Sequence, residues 1–417
     1  MRIGVNKFFL GAVVSTIFGN AFAVSYDQRN DDWMLEMSAQ LSGKKLSEIV
    51  IPGTHDSGTS GIGGANGNVA RTQKKTIGQQ LDDGIRYFDL RVTENAHRDC
   101  ADPSVWWIHH GERDSYRFTD AINQVKVFLK NPGHEKELII LDIQDITLKY
   151  SDARAANVLL GYLQKELGGL DGYLLNKNSK NYSLADPVGK IWDYNNKFKK
   201  SRQVIALVPG WSLDIADTGC GYSVNKSMLY SRDQYIYGYY REVTDVNGKK
   251  VDVDGLLFRG SSVINNMTGQ FNQYREKQRS GGLTVLNFAP RPSDGWYATA
   301  WADFSGFALY NYANYEINYP LNVIENKKCY EGWLGKRLYM SYNASNLGSG
   351  LSEDFNRPNI VMIDAYDAWQ GWANVYLSNG SWRFQRKGSF VDFIKAINDN
   401  PYPARVGSFS YNDGQCL

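Results

Sequence analysis

Histidine is scarce in this chain of 417 residues, and three of its five histidines stand where acid–base chemistry is possible. His55 lies beside Asp56 directly after a short apolar run, and His109 and His110 close a second apolar run, with Arg91 between the two groups. Neighbouring residues of a strand face opposite sides, so only one residue of the second pair can serve the same site. Two histidines can act as general base and general acid near neutral pH, and a cation stabilises developing negative charge. The pattern therefore predicts acid–base catalysis supported by a fixed positive charge.

The segments that carry these residues are predicted to be strands of a parallel sheet. The run 48–51 is apolar and β-branched, and Pro52-Gly53 ends it just before His55. The run 138–143 is apolar almost throughout, as in strands buried on both faces. Because parallel strands deliver ligand-binding side chains at their carboxyl ends, His55 is predicted to face a ligand site. The Gly-rich residues 58–68 are predicted to form a loop, either a plain linker or a functional lid.

Strand and helix patterns alternate along most of the chain. At 122–129, for example, apolar residues recur at helical spacing, and Asn131-Pro132-Gly133 ends the pattern. The alternation predicts an α/β fold, namely a TIM-type (β/α)8 barrel. The strand candidates are 48–51, 85–91, 105–109, 138–143, 203–208, a segment near Tyr235, 283–288 and 359–363. The helix candidates are 31–39, 77–83, 119–130, 152–167, 261–278 and 388–398.

The chain is predicted to be a single barrel domain behind a signal peptide. Residues 1–23 combine a basic start, an apolar stretch and an Ala-x-Ala cleavage site, so residues 24–417 are expected to form the secreted mature domain, extracellular or periplasmic. No later run is long and apolar enough to span a bilayer. Two long insertions in the second half, about 210–258 and about 289–350, carry many of the Tyr and Trp residues.

Composition narrows the classes of partner. The formal net charge of +2 is close to neutral and argues against a nucleic acid. Aromatic residues make up 13% of the chain, which suits sugar rings or a membrane interface and equally a Tyr-rich secreted surface. Nothing in the sequence predicts an obligate protein partner. In an oxidising compartment the cysteines fit two disulfides in one of three connectivities, and their wide spacing argues against a zinc site. They are Cys100, Cys220, Cys329 and Cys416.

Three motifs follow one another in the first third of the chain. Ile51–Ser57 reads Ile-Pro-Gly-Thr-His-Asp-Ser, Gly84–Arg91 reads Gly-Ile-Arg-Tyr-Phe-Asp-Leu-Arg, and His109–Gly111 reads His-His-Gly ahead of Glu137–Leu141. Together they resemble the catalytic half of bacterial phosphatidylinositol-specific phospholipases C, which are the calcium-independent type of the X domain. The resemblance is strong over about 30–145 and thinner beyond. It implies a distorted (β/α)8 barrel with its chemistry at the carboxyl ends of the strands.

The resemblance also implies a role for each candidate catalytic residue. His55 matches the family's general base for the inositol 2-hydroxyl, and His110 matches the general acid for the diacylglycerol oxygen. Arg91 matches the phosphate clamp. Asp56 would orient His110, and Asp364 would orient His55. The implied activity is cleavage of phosphatidylinositol, or of its glycosylated form, at a membrane surface to diacylglycerol and inositol 1,2-cyclic phosphate.

The headgroup pocket is expected to depart from the family's pattern. Asp233 and Tyr235 match a pair that binds the inositol ring in the family, through a hydrogen bond and a ring face. Where the family usually places a basic inositol ligand, this chain reads Val208-Pro209-Gly210-Trp211, so Trp211 becomes the candidate contact. The headgroup specificity of this chain is therefore expected to differ from strict inositol recognition.

The resemblance implies catalysis without a metal or another cofactor. Animal relatives hold calcium with an Asn after the first histidine and with acidic residues on the second strand, whereas this chain has Asp56 and Arg91 in those places. Because a guanidinium and a metal ion in one low-dielectric pocket would repel each other, the arginine is expected to replace the ion.

Three other readings remain beside this one. A glycerophosphodiester phosphodiesterase would open on His-Arg-Gly with a Glu-x-Asp metal pair, which Thr54–Asp56 and Asp89–Arg91 do not fit. A secreted lipid- or glycan-binding protein on a catalytically altered barrel is the main alternative, since fold does not fix function. The intact set of His55, Arg91 and His110 argues against it. A disulfide-held structural protein of the cell surface rests on the cysteines alone.

Overall fold

The computed structural model describes residues 30–63, 70–96, 102–168, 172–216, 222–237, 242–244, 250–252, 281–288, 359–363, 366–368, 372–376, 382–387 and 389–399. The predicted signal peptide, all the cysteines, the predicted helix 261–278, part of the first predicted insertion and the whole of the second lie outside these residues. Within the described part, no helix combines the length and apolarity needed to cross a membrane.

In chain order the strands are β1 Ile51–Thr54, β2 Tyr87–Glu94, β3 Trp106–His110, β4 Arg113–Arg117, β5 Ile139–Thr147, β6 Val204–Val208, β7 Tyr230–Ser231, β8 Ile236–Tyr237, β9 Glu242–Thr244, β10 Lys250–Asp252, β11 Leu283–Phe288, β12 Ile360–Ile363, β13 Trp372–Tyr376 and β14 Trp382–Lys387. The α-helices are α1 Trp33–Glu36, α2 Ser38–Leu41, α3 Ile77–Asp82, α4 Phe118–Leu129, α5 Ala156–Leu167, α6 Gly189–Phe198, α7 Gly210–Leu213, α8 Arg232–Tyr235 and α9 Phe390–Asp399.

The main sheet follows the chain around a barrel. Its path runs β7-β6-β5-β2-β1-β12-β11-β8, and every neighbouring pair on this path is parallel. The two ends of the path, β7 and β8, are consecutive in the chain and are joined by the short helix α8 instead of by a ladder. The described strands thus form a distorted eight-stranded barrel with one unpaired seam. The predicted α/β class and the (β/α)8 barrel are confirmed.

Continuous apolar runs place the core inside and around this sheet. Every residue of β1, β6 and β12 is buried, as expected for parallel strands covered on both faces. Helix α4 buries one face, including Ile122 and Val125, against the sheet. At the amino ends of the strands the fully buried Arg86 pairs with Glu137, its Nε donating to Oε2 at 2.7 Å. The opposite end of the barrel is left for polar side chains.

Two strand predictions need correction. The run 105–109 is not a barrel strand, because β3 pairs antiparallel with β2 and with β4 and so forms a hairpin off the parallel path. Its residues are not all buried, which fits an outer ladder better than a doubly covered strand. The segment near Tyr235 divides into β7 and β8 on either side of α8. The predicted helix 31–39 is likewise two short helices, α1 and α2.

Candidate active site

The turn after β1 brings predicted catalytic residues to the carboxyl end of the barrel. β1 ends at Thr54, and the backbone N–H of His55 donates to the Ile363 carbonyl of β12 at 3.1 Å. Asp56 has a left-handed backbone with φ of 44°, which among non-glycine residues is tolerated best by Asn and Asp. Asp89 of β2 holds this turn, since its Oδ2 accepts from the Asp56 N–H at 3.0 Å. Backbone conformations of this kind cluster at functional sites.

The buried carboxylate of Asp56 lies at the centre of the site. Its side chain has no solvent exposure. Oδ1 lies 3.0 Å from Arg91 Nε, and Oδ2 lies 3.4 Å from both His55 Nε2 and His110 Nε2. The structure therefore brings four of the five predicted catalytic residues together around one negative charge. The fifth, Asp364, lies outside the described residues, one position beyond the end of β12.

His110 is oriented by a backbone carbonyl on one side and by Asp56 on the other. Its Nδ1 lies 2.7 Å from the Ala70 carbonyl. Because a carbonyl only accepts, Nδ1 carries a hydrogen, and Nε2 is the atom that gains or loses a proton in front of Asp56. His109 points elsewhere, with its Nδ1 2.8 Å from the Gly111 carbonyl and its side chain largely buried. The hairpin thus presents one histidine of the pair to the site.

The contact of His55 with Arg91 indicates that its Nε2 carries no hydrogen. Its Nε2 lies 3.3 Å from Arg91 Nη2, and a guanidinium can only donate, so this contact engages the Nε2 lone pair. The ring is almost fully buried. The ring centroids of His55 and His110 are 6.5 Å apart and the rings are nearly perpendicular. That separation lets the two imidazoles act on different oxygens of one substrate centre.

An acidic cluster inside the barrel was missed by sequence reasoning. Asp89 lies 4.0 Å from His55 Nε2, and its register partner on β5 is Asp142. Asp142 is fully buried, accepts from the Tyr87 hydroxyl at 2.6 Å and from Arg232 Nε at 2.9 Å. Burial raises the pKa of Asp142 to about 6, and Arg232 opposes that shift. Charged residues inside two otherwise apolar strand runs were the available signal for this cluster.

The predicted headgroup residues lie at the carboxyl ends of β6 and β7. Trp211, in the first turn of α7, is 40% exposed. Asp233 is exposed, and its Oδ2 accepts from the Gly210 N–H at 2.9 Å, so the α7 and α8 segments meet here. Tyr235 packs edge-to-face on Tyr230, with ring centroids 5.1 Å apart. Arg232, the residue before Asp233, has a side chain that reaches the buried Asp142.

Three residues at the centre of the site offer ligand atoms for a cation. One ligand atom from each of His55, Asp56 and Asp89 lies within 4.8 Å of the others. The guanidinium of Arg91 already contacts two of these three residues, Asp56 and His55. A second cation at this point would meet that fixed charge at close range. Metal-independent catalysis stays a prediction, with Arg91 as its electrostatic basis.

Comparison with known proteins finds relatives for part of the chain. No family model matches it. PI-PLC X domain-containing protein 2 of Mus musculus is 32% identical over an aligned length of 136 residues, and the match covers 27% of this chain and 38% of the relative. The 1-phosphatidylinositol phosphodiesterase of Staphylococcus aureus strain Newman is 36% identical over 88 residues, 21% of this chain and 25% of the relative. The chain therefore covers well under half the length of these relatives.

Solved structures of phosphatidylinositol-specific phospholipases C are similar in outline. One from Staphylococcus aureus has a TM-score of 0.48 at 15% identity and covers 89% of this chain and 99% of its own. One from Listeria monocytogenes has a TM-score of 0.42 at 15% identity and covers 88% of this chain and 99% of its own. The barrel assignment rests on the strand order described above. The sequence relatives confirm the predicted resemblance, and animal X-domain proteins share it with the bacterial enzymes.

Proposed function

We propose that this chain, whose homologues are PI-PLC X domain-containing proteins and bacterial phosphatidylinositol phosphodiesterases, is itself a phosphodiesterase of the phospholipase C type. Its substrate is phosphatidylinositol or glycosyl-phosphatidylinositol, and its products are diacylglycerol and inositol 1,2-cyclic phosphate. The observation that carries the proposal is the buried carboxylate of Asp56 in contact with Arg91 and with the Nε2 atoms of both His55 and His110. A base, an acid and a cation around one point are what intramolecular attack on a phosphodiester needs.

The proposed reaction uses each of these groups once. His55 Nε2 takes the proton of the inositol 2-hydroxyl, and the resulting alkoxide attacks phosphorus to form the cyclic ester. The bond from phosphorus to the diacylglycerol oxygen breaks, and His110 Nε2 gives its proton to that oxygen. Arg91 donates hydrogen bonds to phosphoryl oxygens while negative charge builds up on them. One proton is gained at His55 and one is lost at His110, so exchange with solvent restores the starting state.

Asp56 and Asp364 would support the two histidines in different ways. The carboxylate of Asp56 would hold the imidazole of His110 in place, because Oδ2 lies 3.4 Å from Nε2. Asp56 also fixes the guanidinium of Arg91 through the contact at Nε. Asp364 is proposed to orient His55, on the resemblance alone.

Asp233, Tyr235 and Trp211 are proposed headgroup contacts, and Arg91 takes the place of a metal ion. The predicted signal peptide at 1–23 supports a secreted enzyme that acts on phospholipid at a membrane surface. The predicted disulfides among the cysteines belong to the same expectation.

Phosphorus NMR on phosphatidylinositol vesicles in EDTA tests the proposal. The wild-type protein should first produce the strained cyclic phosphodiester and only later a monoester. The variants His55→Ala and His110→Ala serve as controls for contaminating activity. Vesicle binding without any turnover would overturn the enzymatic proposal and support the lipid-binding alternative, and direct release of phosphocholine from phosphatidylcholine would contradict the substrate.

A further inference from the structure

A short segment behind the site contacts both candidate catalytic histidines. In Ala70–Gln73, the carbonyl of Ala70 accepts from His110 Nδ1 at 2.7 Å. Thr72 Oγ1 donates to the carbonyl of His55 at 3.0 Å, and Gln73 Nε2 donates to the same carbonyl at 3.1 Å. We propose that Thr72 and Gln73 are positioning residues, which set the place of the base histidine relative to the acid histidine. The proposal rests on the proposed phosphodiesterase function and assigns further residues to that site.

The hydroxyl of Thr72 is held in one orientation by Thr59. Thr59 Oγ1 accepts from two backbone N–H groups, those of Thr72 at 3.1 Å and Gln73 at 3.2 Å. With both acceptor positions used, Thr59 donates its single proton to Thr72 Oγ1, 2.9 Å away. Thr72 must then direct its own proton at the carbonyls of His55 and Asp56, which lie 3.0 and 3.2 Å away. The direction of the whole chain of hydrogen bonds is thereby fixed toward the catalytic turn.

The carbonyls that Thr72 contacts belong to the left-handed turn. Asp56, with its φ of 44°, sits in a conformation that persists only where its surroundings hold it. Thr72 holds the turn from the carbonyl side, while Asp89 holds it from the Asp56 N–H. Without the Thr72 hydroxyl the turn is free to relax, and the Asp56 carboxylate would shift relative to both imidazoles. A displacement of about 1 Å at a catalytic group costs about 10²-fold in rate.

Gln73 joins the same turn to the neighbouring barrel strand. Its Nε2 donates to the His55 carbonyl and to the Ile363 carbonyl, the latter at 2.9 Å. Ile363 ends β12, so the amide bridges the carboxyl ends of β1 and β12 where His55 begins. The Gln73 Oε1 is buried and finds no hydrogen-bond partner among the described residues. Buried polar atoms are normally paired, so the contribution of the Gln73 amide lies in its two donated hydrogen bonds.

The side chains of Thr59, Thr72 and Gln73 are buried, so they make their hydrogen bonds within the protein and not to solvent. Thr59 and Gln73 have no exposure and Thr72 has 1%. All three donate or accept within the turn and its immediate neighbours, at the carboxyl end of the barrel. The chain offers a matched comparison at the opposite end. Gln203, before β6, is also buried and also donates through Nε2 to two carbonyls, those of His134 and Glu137.

The test compares Gln73→Met with Gln203→Met. Each change removes an amide that bridges two carbonyls, so both variants should lose similar amounts of thermal stability. Initial rates on phosphatidylinositol vesicles should show kcat lower by about 10²-fold for Gln73→Met, with KM within about twofold of wild type, and kcat close to wild type for Gln203→Met. Equal kcat losses in the two variants, or no loss in Gln73→Met, would overturn the positioning role.

A second pair of variants and a second measurement distinguish loss of the positioning role from unfolding and from failure of the proposed function. Thr72→Val removes the hydroxyl at nearly constant volume, and Thr72→Ser keeps it, so Ser should restore most of the kcat that Val loses. Nitrogen-15 NMR of the histidine rings, only five in the chain, gives a readout that needs no turnover. The titrations of His55 and His110 should move in Gln73→Met and stay in Gln203→Met. If wild type shows no cyclic product the proposed function fails, and unmoved titrations in Gln73→Met would then overturn the positioning role separately.

Discussion

The replacement Asp56→Asn removes one negative charge from the centre of the site and leaves the backbone almost unchanged. Asn is among the few residues that tolerate a φ of 44°, so the turn between β1 and Asp89 should survive. The amide keeps an oxygen near Arg91 Nε but no longer carries the charge that faces His110. The variant therefore isolates the electrostatic contribution of the carboxylate.

The size of the effect follows from the distance between Asp56 Oδ2 and His110 Nε2. At 3.4 Å two unit charges attract by about 5 kcal/mol at an effective dielectric constant of 20 and by about 1 kcal/mol in bulk water. The carboxylate is fully buried but shares its charge with Arg91, so an intermediate value of about 3 kcal/mol is expected. That corresponds to a loss of about 10²-fold in kcat/KM.

The assay is kcat/KM on phosphatidylinositol vesicles. Without the carboxylate no negative charge faces His110 and Arg91, so kcat/KM should fall by the factor worked out above. Asp56→Ala is the companion variant, and it should be less stable than Asp56→Asn by about 1 kcal/mol because Ala strains the left-handed turn. Activity of Asp56→Asn within threefold of wild type would refute the role given to this charge.

Three further predictions concern the other charged groups. His55→Ala and His110→Ala should each lose several orders of magnitude in kcat while circular dichroism shows a folded barrel, because base and acid act as one unit; near wild-type activity in either variant would remove that residue from the mechanism. Arg91→Lys keeps the charge but loses the planar fork, so it should bind vesicles and turn over far more slowly, while EDTA leaves the wild-type rate unchanged; wild-type activity that vanishes in EDTA and returns only with calcium would contradict this. Asp142 has a folded-state pKa of about 6, above its ordinary value of 3.8, so wild type should lose about 2 kcal/mol of stability as pH rises from 4 to 7. Urea unfolding of Asp142→Asn should show a flatter profile over that range, and an unchanged slope would contradict the prediction.

The parts of the fold that sequence could predict are those with a strong local pattern. The runs that became β6 and β12 are continuously apolar, those of β5 and β11 are largely apolar, and 283–288 matches β11 at both ends. Such runs are buried on both faces whichever strand they pair with, so their apolar composition alone identifies them. The turn at His55 was equally local, because a proline and a glycine interrupt an apolar run just before it.

What the sequence could not predict depends on pairing between distant segments. The apolar run 105–109 looks like a barrel strand, yet β3 pairs antiparallel with β2, and a local pattern does not specify the partner. The strands β7 and β8 have two residues each, too short to show any period. Asp142 and Arg232 meet across 90 positions of sequence. Thr72 and Gln73 look like ordinary loop residues until the carbonyls of the turn are placed beside them.

The position of the hairpin explains why the two histidines need a connection between them. His55 stands at the end of a barrel strand, whereas His110 is carried by β3, which pairs with β2 only along Val92–Glu94. The acid histidine therefore depends on contacts with the segment that leaves the His55 turn. Gly58 of that segment lies so close to Ile108 that a Cβ there would come within 2.6 Å of its side chain, and the Gly61 N–H donates to Ser115 Oγ at 2.9 Å.

These contacts change the interpretation of the Gly-rich loop that composition predicts at 58–68. Its described start, 58–63, packs on the hairpin of His110, and Ala70, where the described chain resumes, accepts from the His110 ring. Two residues further on, Thr72 and Gln73 hold the carbonyl of His55. The glycines permit close approach of backbone to the hairpin, where a side chain would force the two apart. Both described ends of this linker-like segment therefore connect the turn of His55 with the hairpin of His110. Contacts at these two places fix the spacing of the two imidazoles, which one substrate has to reach together.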